Sequence, residues 1–519
     1  MSGAPTTTER SWWREAVVYQ IYPRSFADGN GDGIGDLRGI IDYLDHIAAL
    51  GVDAVWLSPI YPSPMHDFGY DVADYCAIDP VFGTLDDFDE MLAGLHERGI
   101  RLLLDWVPNH TSSEHPWFVE SRSSRSNARR DWYVWRDPHP DGSPPTNWMA
   151  MFNGVPAWTN DEATGQSYLH LFLPEQPDLN WANPDVEAAM HDTLRFWLDR
   201  GVDGFRSDVV NLIGKGTQVD DLPEPLAALP LLATDRPLGH ELLGRIRTLL
   251  DGYSQQPMMV GEVYLLRDGE AASYLGTPEA PELHLSFDFR SVHVPWDAAR
   301  LHGTIDAIQT DFAEPRWPTR VLSNHDQPRH RTRYGSDAHA RAAAVMSLTM
   351  RGTPFLYAGE ELGLTDGEVP AARVVDPDGR DGCRAPIPWT ADGDDEYGHG
   401  WSTRPWLPFP TNASSHSLEH QVDDASSMLA LYRRLLGLRS ATPALRSGAL
   451  SLAPLDGELL RYDRVAGDER VTVLINCGEQ PVPWPADLDS CTLFVSTIDD
   501  ARVVGQPLDP LEAVVLRYA

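Results

Sequence analysis

The sequence predicts an α/β protein built on a (β/α)8 barrel, in which eight parallel strands alternate with helices around a closed sheet. The first observation is a series of eight short apolar runs between residues 16 and 361 that lack polar alternation, as in strands buried on both faces. The second is that amphipathic segments ending in glycine lie between several of these runs, which is typical of helices with a C-terminal glycine cap. Strands that alternate with helices in this way predict a parallel sheet.

The strand candidates share a high content of Val, Leu and Ile. They are residues 16–22, 52–59, 101–107, 202–208, 257–263, 283–289, 319–326 and 353–361. The clearest helix candidates are residues 36–51, 85–99, 185–201 and 426–440. About 50 residues separate the starts of the second and third strand candidates, but about 100 separate those of the third and fourth. The extra segment is rich in Trp, Asn, Pro and Ser, and it predicts a subdomain inserted after the third strand.

The last part of the chain has a different texture. From about residue 447 it consists of short runs separated by turns, which predicts a small antiparallel β domain. The predicted strands are residues 458–465, 470–477, 491–497 and 511–518. We therefore predict that residues 1–108 and 175–446 form the barrel, that residues 109–174 form the inserted domain, and that residues 447–519 form a C-terminal β-sandwich. Within the barrel, the Gly-, Pro- and Asp-rich residues 362–424 are expected to form loops over its top.

The chain is strongly acidic and almost free of lysine. It has 77 Asp and Glu against 41 Lys and Arg, a formal net charge of −36, and its single lysine is Lys215. Such a surface repels nucleic-acid phosphates and anionic lipid, so we expect neither as a partner and expect a neutral or cationic substrate. Lys215 stands in a Gly-Lys-Gly turn without the pattern of a phosphate-binding loop and without catalytic context, and we expect no organic cofactor.

The sequence lacks the patterns of secretion and of membrane insertion. The first 15 residues do not show the basic and then apolar order of a signal peptide, and no apolar run approaches the ~18 residues of a membrane helix. The four cysteines are widely spaced without a CxxC pair, which fits neither a zinc site nor a disulfide framework. We therefore expect a soluble, cytoplasmic protein, and the sequence leaves open whether it is a monomer or a homodimer.

Polar and charged residues collect at the C-terminal ends of the strand candidates, the face of a barrel where active sites are built. They are Asp105, Asn109, His110, Arg206, Asp208, Glu262, His325 and Asp326. A single carboxylate in such a place could be a helix cap or part of a salt bridge, but several around one mouth indicate chemistry. Carboxylates gathered without lysines suit acid–base or nucleophilic work on a neutral substrate. Glycoside hydrolysis needs such a pair of carboxyl groups.

Four segments that contain these residues together identify the chain as a member of the α-amylase family of glycoside hydrolases. They resemble, in order and spacing, the family's four signature regions: DWVPNH (105–110), GFRSD (204–208), VGEVY (260–264) and LSNHDQ (322–327). QPDLN (176–180) and GVDAVWLSP (51–59) resemble two further family regions. The resemblance extends over essentially the whole chain and implies a barrel with an inserted domain after strand three and a C-terminal β domain.

The resemblance also implies a role for each carboxylate. Asp208 would be the nucleophile that forms a covalent glucosyl-enzyme, and Glu262 the general acid and then the general base. Asp326 would be the third carboxylate, which holds hydroxyl groups of the sugar. Arg206 lies two residues before the nucleophile, so on a strand it points to the same side, and its charge is expected to keep the nucleophile ionised. His110 and His325 would donate hydrogen bonds to the sugar.

Finer features resemble the exo-acting α-glucosidase and oligo-1,6-glucosidase branch of the family. The segment DFGYDVADY (67–75) implies that Asp67 binds the non-reducing glucose and that Tyr70 stacks on its ring. The segment GRDGCRAPIPW (379–389) implies that Arg380 pairs with Asp67 and closes the pocket behind one glucose. It departs from the branch's pattern, which commonly has Thr, Met and often Gln, at Ala385, Ile387 and Pro388.

The resemblance implies that Phe172 lines the same subsite and predicts release of single glucose units from short α-glucosides. Val209 follows the nucleophile, and in some relatives a valine there accompanies α-1,6 substrates. Relatives with the most similar 379–389 segment prefer α-1,4 linkages, and we favour these while α-1,6 stays possible. One alternative is a transglucosylase or sugar isomerase on the same scaffold. Another is a non-catalytic, transporter-associated relative, but such proteins lack one or more of the three carboxylates and carry a membrane helix.

A metal site is suggested by the segment DGNGDGIGD (28–36). Oxygen-bearing residues at every second position, with glycines between them, resemble the first half of a calcium loop. Position 12 of such a loop would be Gly39 rather than Glu, so the segment is not an EF-hand. A matching loop of the α-glucosidase branch implies structural Ca²⁺ (or Mg²⁺); its ligands would be Asp28, Asn30, Asp32, the Ile34 carbonyl and Asp36. The alternative is an acidic turn without metal.

Overall fold

A computed structural model gives the structure of residues 11–217, 219–224, 226–228, 237–498 and 502–518. Residues 1–10, on which the prediction about a signal peptide partly rests, lie outside this part of the chain. In chain order the strands are β1 (Val18–Ile21), β2 (Ala54–Leu57), β3 (Arg101–Trp106), β4 (Trp135–Arg136), β5 (Trp158–Asp161), β6 (Gln166–Leu169), β7 (Gly204–Ser207), β8 (Met258–Gly261), β9 (Leu285–Ser286), β10 (Thr319–Val321), β11 (Thr353–Tyr357), β12 (Ala449–Leu452), β13 (Leu459–Ala466), β14 (Glu469–Asn476), β15 (Thr492–Ser496) and β16 (Ala513–Arg517).

The helices lie between and after the barrel strands. In chain order they are α1 (Trp12–Glu15), α2 (Leu37–Asp42), α3 (Leu44–Leu50), α4 (Leu85–Glu97), α5 (Pro116–Ser123), α6 (Pro184–Asp199), α7 (Pro237–Asp251), α8 (Glu270–Ser273), α9 (Arg290–His293), α10 (Ala298–Asp311), α11 (His330–Tyr334), α12 (Asp337–Thr349), α13 (Ala413–His416), α14 (Leu418–Gln421), α15 (Met428–Ala441) and α16 (Pro443–Ser447). None of the described helices is long and apolar enough to cross a membrane.

Eight parallel strands form the barrel in the order β10-β11-β1-β2-β3-β7-β8-β9. Each predicted apolar run contains one of these strands, and nearly all strand residues are buried, which confirms the predicted barrel. Between β9 and β10 the described residues show no backbone ladder. Instead, the Thr319 hydroxyl donates to the Ser286 carbonyl (3.1 Å) and accepts from the Asp288 N–H (3.3 Å), so a side chain bridges this seam.

The first predicted helix is interrupted. Residues 36–51 form α2 and α3, which are separated at Tyr43, a residue with non-helical backbone angles (φ −109°, ψ 14°). The glycine that ends this segment has the expected left-handed conformation, with φ +85° at Gly51. The predicted helices at 85–99, 185–201 and 426–440 are confirmed as α4, α6 and α15.

Two antiparallel sheets accompany the barrel. A three-stranded sheet, β4-β6-β5, lies inside the segment predicted to be inserted after the third strand. A five-stranded sheet, β12-β13-β14-β16-β15, forms the C-terminal β domain. Four of its five strands were predicted; β12 was missed because it pairs on one side only and buries none of its side chains fully. The exact domain boundaries stay predictions.

Aromatic side chains fill the barrel interior beneath the strand ends. The Trp56 ring lies 5.7 Å from Phe287 and 6.4 Å from Phe355, measured between ring centroids. The indole N–H of Trp56 donates a hydrogen bond to a carboxylate oxygen of Asp105 (3.1 Å). The apolar filling of the barrel therefore ends directly below a buried carboxylate, and the polar site begins there.

Candidate active site

The strand ends surround a cavity of about 230 Å³, more than ten times the ~10–15 Å³ that one water needs. Most of the predicted catalytic and sugar-binding residues line it: Asp67, Tyr70, His110, Phe172, Asp208, Glu262, Asp326 and Arg380. The two remaining predicted residues, Arg206 and His325, lie next to this lining and bond to it. Sequence reasoning missed further lining residues, which come mainly from loops: Met151, Phe152, Tyr264, Gln327 and Asp378.

Arg206, on β7, bonds to three carboxylates, and these four side chains are called the hub of the site. One of its terminal nitrogens donates to Asp105 (2.8 Å) and to Asp208 (2.7 Å), and the other donates to Glu262 (2.6 Å). The Glu262 carboxylate also accepts from the backbone N–H of Val209 (3.2 Å). One buried guanidinium therefore holds three carboxylates from the ends of β3, β7 and β8 in fixed positions.

The hub contains one positive group, Arg206, and three carboxyl groups. Burial raises the pKa of Asp208, and the charges of Glu262 and Asp105 act in the same direction against the opposing charge of Arg206. Burial likewise raises the pKa of Asp105 to about 6, although Arg206 lowers it. The expectation that Arg206 keeps the nucleophile ionised is therefore incomplete, because three carboxylates compete for one cation. Such a cluster titrates as a unit and can retain a proton near neutral pH.

The third predicted carboxylate lies among arginines. Asp326 accepts hydrogen bonds from Arg380 (3.1 Å) and Arg384 (3.2 Å). Burial alone would raise the pKa of Asp326, but the surrounding positive groups outweigh it and hold this pKa below its usual range. Since burial lowers the pKa of the adjacent His325 well below its usual range, that ring is neutral, and the two guanidiniums carry the effect.

One side of the cavity is closed by an ion-pair network. Arg380 pairs with Asp67 at 2.5 Å, as the resemblance implied, and also with Asp376 at 2.7 Å. Asp376 is fully buried and pairs with Arg384 as well (3.0 Å). Sequence reasoning missed Asp376 and Arg384; the second stands in the quoted segment 379–389, four residues after Arg380, and could have been found from it.

The stacking of Tyr70 on a sugar ring stays a prediction, and within the protein the same ring has a partner of its own. Tyr70 lines the cavity, but its ring stacks on His325, with centroids 5.4 Å apart and an angle of 9° between the planes. Its hydroxyl lies 2.6 Å from Nε2 of His325 and donates to Asp105 (3.0 Å). The amide of Gln20 lies 2.8 Å from the other ring nitrogen. Tyr70 thus connects His325 to the hub in addition to facing the cavity.

The predicted metal loop does not gather its carboxylates. Asp28 accepts from the backbone N–H of Gly33 (2.8 Å), and Asp36 caps α2 by accepting from that of Gly39 (2.7 Å). Among the described residues, no group of three or more His, Cys, Asp or Glu side chains is placed to hold a metal ion. This arrangement does not fit a carboxylate cage at residues 28–36, and calcium binding there stays a prediction.

Comparison with known proteins agrees with this geometry. Residues 20–448 match the α-amylase catalytic domain. A probable α-glucosidase of Rhizobium meliloti is 42% identical, over 91% of this chain and 90% of its own. An oligo-1,6-glucosidase of Parageobacillus thermoglucosidasius is 40% identical, over 91% of both chains.

A solved structure has the same fold. The crystal structure of the α-glucosyl transfer enzyme XgtA superposes with a TM-score of 0.89 at 38% identity, covering 98% of this chain and all of the other. The matched catalytic domain covers most of the chain, and the carboxylates at its strand ends meet around one cavity. The protein is therefore a glycoside hydrolase that belongs to the α-amylase family.

Proposed function

We propose that this protein is a retaining exo-α-glucosidase, which releases glucose from the non-reducing end of short α-glucosides. The observation that carries the proposal is the cavity itself. Asp208 and Glu262 share Arg206 on one side of it, and the Asp67–Arg380 ion pair closes another. A cavity closed in this way receives the end of a sugar chain, whereas cleavage inside a polymer needs an open cleft.

The two carboxyl groups supply the chemistry. Asp208 attacks the anomeric carbon and forms a glucosyl ester while Glu262 gives a proton to the leaving oxygen; Glu262 then takes a proton from the water that cleaves the ester. Retaining pairs lie ~5–5.5 Å apart, and inverting pairs lie ~6.5–9.5 Å apart to admit a water. Two groups that bond to one guanidinium are close together, which supports retention.

Asp326 supports the same reaction electrostatically. Its two guanidinium partners keep it ionised, and a fixed negative charge beside the sugar stabilises the positive charge that develops on the ring in the transition state. Its oxygens can also accept hydrogen bonds from sugar hydroxyls. The neutral His110 can donate such a bond without adding charge. The ring nitrogens of His325 face the Tyr70 hydroxyl and the Gln20 amide, so a bond from His325 to the sugar would share its proton with Tyr70.

Two substitutions test the assignment. We expect Asp208→Asn and Glu262→Gln to abolish turnover of 4-nitrophenyl α-glucoside with little change in Tm, while the exposed Asp192→Asn serves as a control with wild-type activity. NMR spectra recorded during turnover should show α-glucose as the first product. Retained activity in pure Asp208→Asn protein contradicts the assignment, and β-glucose as the first product contradicts retention.

The preferred linkage is a finer part of the proposal. We favour α-1,4 because of the segment 379–389, and we keep α-1,6 as a second possibility because Val209 lines the cavity and a relative is named an oligo-1,6-glucosidase. Hydrolysis rates on maltose, isomaltose, sucrose, trehalose and kojibiose decide between them. A higher kcat/KM on isomaltose than on maltose would refute the α-1,4 preference.

Transglucosylation or sugar isomerisation is the second candidate, because XgtA is named as a glucosyl transfer enzyme. The same carboxylates serve both reactions, and the outcome depends on whether water or a sugar reaches the glucosyl ester first. Product analysis at high maltose and at high sucrose separates them. Free glucose without new oligosaccharides supports hydrolysis, and new disaccharides or trisaccharides support transfer. A non-catalytic role is disfavoured, because all three carboxylates are present at the cavity.

A further inference from the structure

The single lysine lies in the core next to the active site, although its sequence context indicated no role. Lys215 ends a short 3-10 helix, Val210–Lys215, which begins two residues after the nucleophile Asp208. Its side chain is 1% exposed. Because a buried ammonium is stable only when it is paired and hydrogen-bonded, the partners of Lys215 define what this charge holds in place.

Lys215 joins three segments of the chain. Its ammonium donates to Oδ1 of Asn109 (2.5 Å), just beyond the end of β3, and to the carbonyl of Leu212 (3.3 Å). It also lies 3.1 Å from a carboxylate oxygen of Asp178, in the segment that leaves the inserted domain. The segment after the nucleophile is thus attached to both chain segments that border the inserted domain.

These contacts fix the orientation of the Asn109 amide. An ammonium can only donate hydrogen bonds, so the amide oxygen must face Lys215. A carboxylate can only accept them, and the amide nitrogen lies 3.2 Å from Asp178. Both charged neighbours therefore require the same orientation, and the opposite one would break both contacts.

The orientation of this amide decides the tautomer of His110. The Asn109 amide nitrogen lies 3.0 Å from Nδ1 of His110; because that nitrogen donates, Nδ1 must accept, and the ring proton is on Nε2. Nε2 lies 3.2 Å from the Tyr70 carbonyl, an acceptor. The amide nitrogen of Gln176, which donates to Asp67 (2.9 Å), lies 3.1 Å from Nε2 and on its own favours the opposite tautomer. The Nε2–H form nevertheless satisfies both the Asn109 amide and the Tyr70 carbonyl, whereas the Nδ1–H form satisfies Gln176 alone.

The ring is neutral, so its tautomer determines what it offers the sugar. Burial, followed by the positive charge of Lys215, lowers the pKa of His110 to about 3. Hydrogen bonds connect the ring to Lys215 and Asp178 on one side, through Asn109, and to Asp67 on the other, through Gln176. His110 lines the cavity, and in the Nε2–H form its single N–H faces the Tyr70 carbonyl, so a sugar oxygen that accepts this proton shares it with that carbonyl.

We propose that Lys215 and Asp178 act together as positioning residues that hold His110, through the Asn109 amide, in the Nε2–H tautomer as a hydrogen-bond donor to the sugar. The contact with the sugar rests on the glucosidase function proposed above. The tautomer itself does not depend on any substrate and can be measured in the free protein.

The first experiment measures the tautomer in the wild-type protein and uses a variant only to assign the signals. In protein labelled with 15N-histidine, long-range 1H–15N spectra distinguish the two tautomers, and the His110 signals are those lost in His110→Gln. We expect protonated Nε2 and unprotonated Nδ1 in the wild-type protein between pH 5 and 8. An Nδ1–H form, or a titration of His110 in this range, overturns the proposal whether or not the protein is a glucosidase.

The second experiment tests whether Lys215 positions the Asn109 amide or only neutralises the charge of Asp178. Lys215→Met leaves the buried Asp178 unpaired and should lower the Tm strongly. Lys215→Met/Asp178→Asn removes both charges at nearly the same shape, so we expect the Tm to recover in large part. Because the amide is then free to rotate, His110 should become a mixture of tautomers, and kcat/KM should fall roughly tenfold, the order expected for one lost hydrogen bond. Arg195→Met/Asp192→Asn, an exposed ion pair treated identically, is the matched control.

Two results would overturn the proposal. If the double variant regains wild-type kcat/KM together with its Tm, the lysine only neutralises Asp178. If the His110 signals are unchanged in that variant, the ion pair does not set the tautomer. Lys215→Arg, which keeps an all-donor cation, should retain the wild-type signals in whatever fraction of the protein folds.

Discussion

Replacing Arg206 by lysine tests the hub of the active site while its charge is kept. The guanidinium makes three short, charge-assisted contacts from two different nitrogens, at 2.7, 2.8 and 2.6 Å. The lysine ammonium is a single point on a flexible chain and cannot bond in two directions as a planar fork does. We therefore expect Arg206→Lys to lose at least one of these contacts.

The size of the effect follows from the energy of such a contact. A hydrogen bond to a charged group contributes about 1.5–3 kcal/mol, which corresponds to roughly a 10- to 150-fold fall in kcat/KM if the contact is made in the transition state. The assay is the initial rate on 4-nitrophenyl α-glucoside, with the Tm and the far-UV spectrum as checks of folding. Arg195→Lys, on the surface, is the matched control. A loss below threefold in folded Arg206→Lys protein would refute the reasoning, because charge alone would then suffice.

Two further predictions concern pH and metal. Burial raises the pKa of Asp105 to about 6 and also raises that of Asp208, so the carboxylates around Arg206 take up protons as the pH falls and the nucleophile loses its charge. We therefore expect kcat/KM to fall on the acid side, and a profile that is flat from pH 7 to 5 contradicts this. Asp326, whose pKa is lowered, stays ionised and should not contribute to that limb. If residues 28–36 hold structural Ca²⁺, treatment with a chelator should lower the Tm, and added Ca²⁺ should restore it; an unchanged Tm contradicts the predicted metal site.

The sequence predicted the barrel well because its signals are local. A strand buried on both faces must be apolar throughout, and each of the eight runs shows this within a few residues. The edge strand β12 is half exposed and carries no such signal. Two other features depend on tertiary packing and cannot be predicted from hydrophobic periodicity. They are the break between α2 and α3 at Tyr43 and the side-chain bridge between β9 and β10.

The active site was predicted as a set of residues but not as a network. Motifs place Asp208, Glu262 and Asp326 at strand ends, and the structure brings them to one cavity. The motifs do not show that Asp376 pairs with both Arg380 and Arg384. Nor do they show that Lys215 bonds to Asn109, 106 positions away, because both contacts depend on the directions of side chains in the folded chain. The protonation of Asp208 was incompletely predicted for the same reason, since it depends on three carboxylates that meet only in the folded chain.

The burial of the single lysine also determines how this protein can be handled. Reagents that react with amines, such as succinimidyl esters and glutaraldehyde, meet no lysine side chain on the folded surface, because Lys215 is 1% exposed. Attachment to a support through lysine would therefore fail on folded protein and succeed after unfolding. Carbodiimide coupling through some of the 77 acidic residues is the corresponding route, and the appearance of a reactive ε-amine becomes a direct chemical measure of unfolding around the active site.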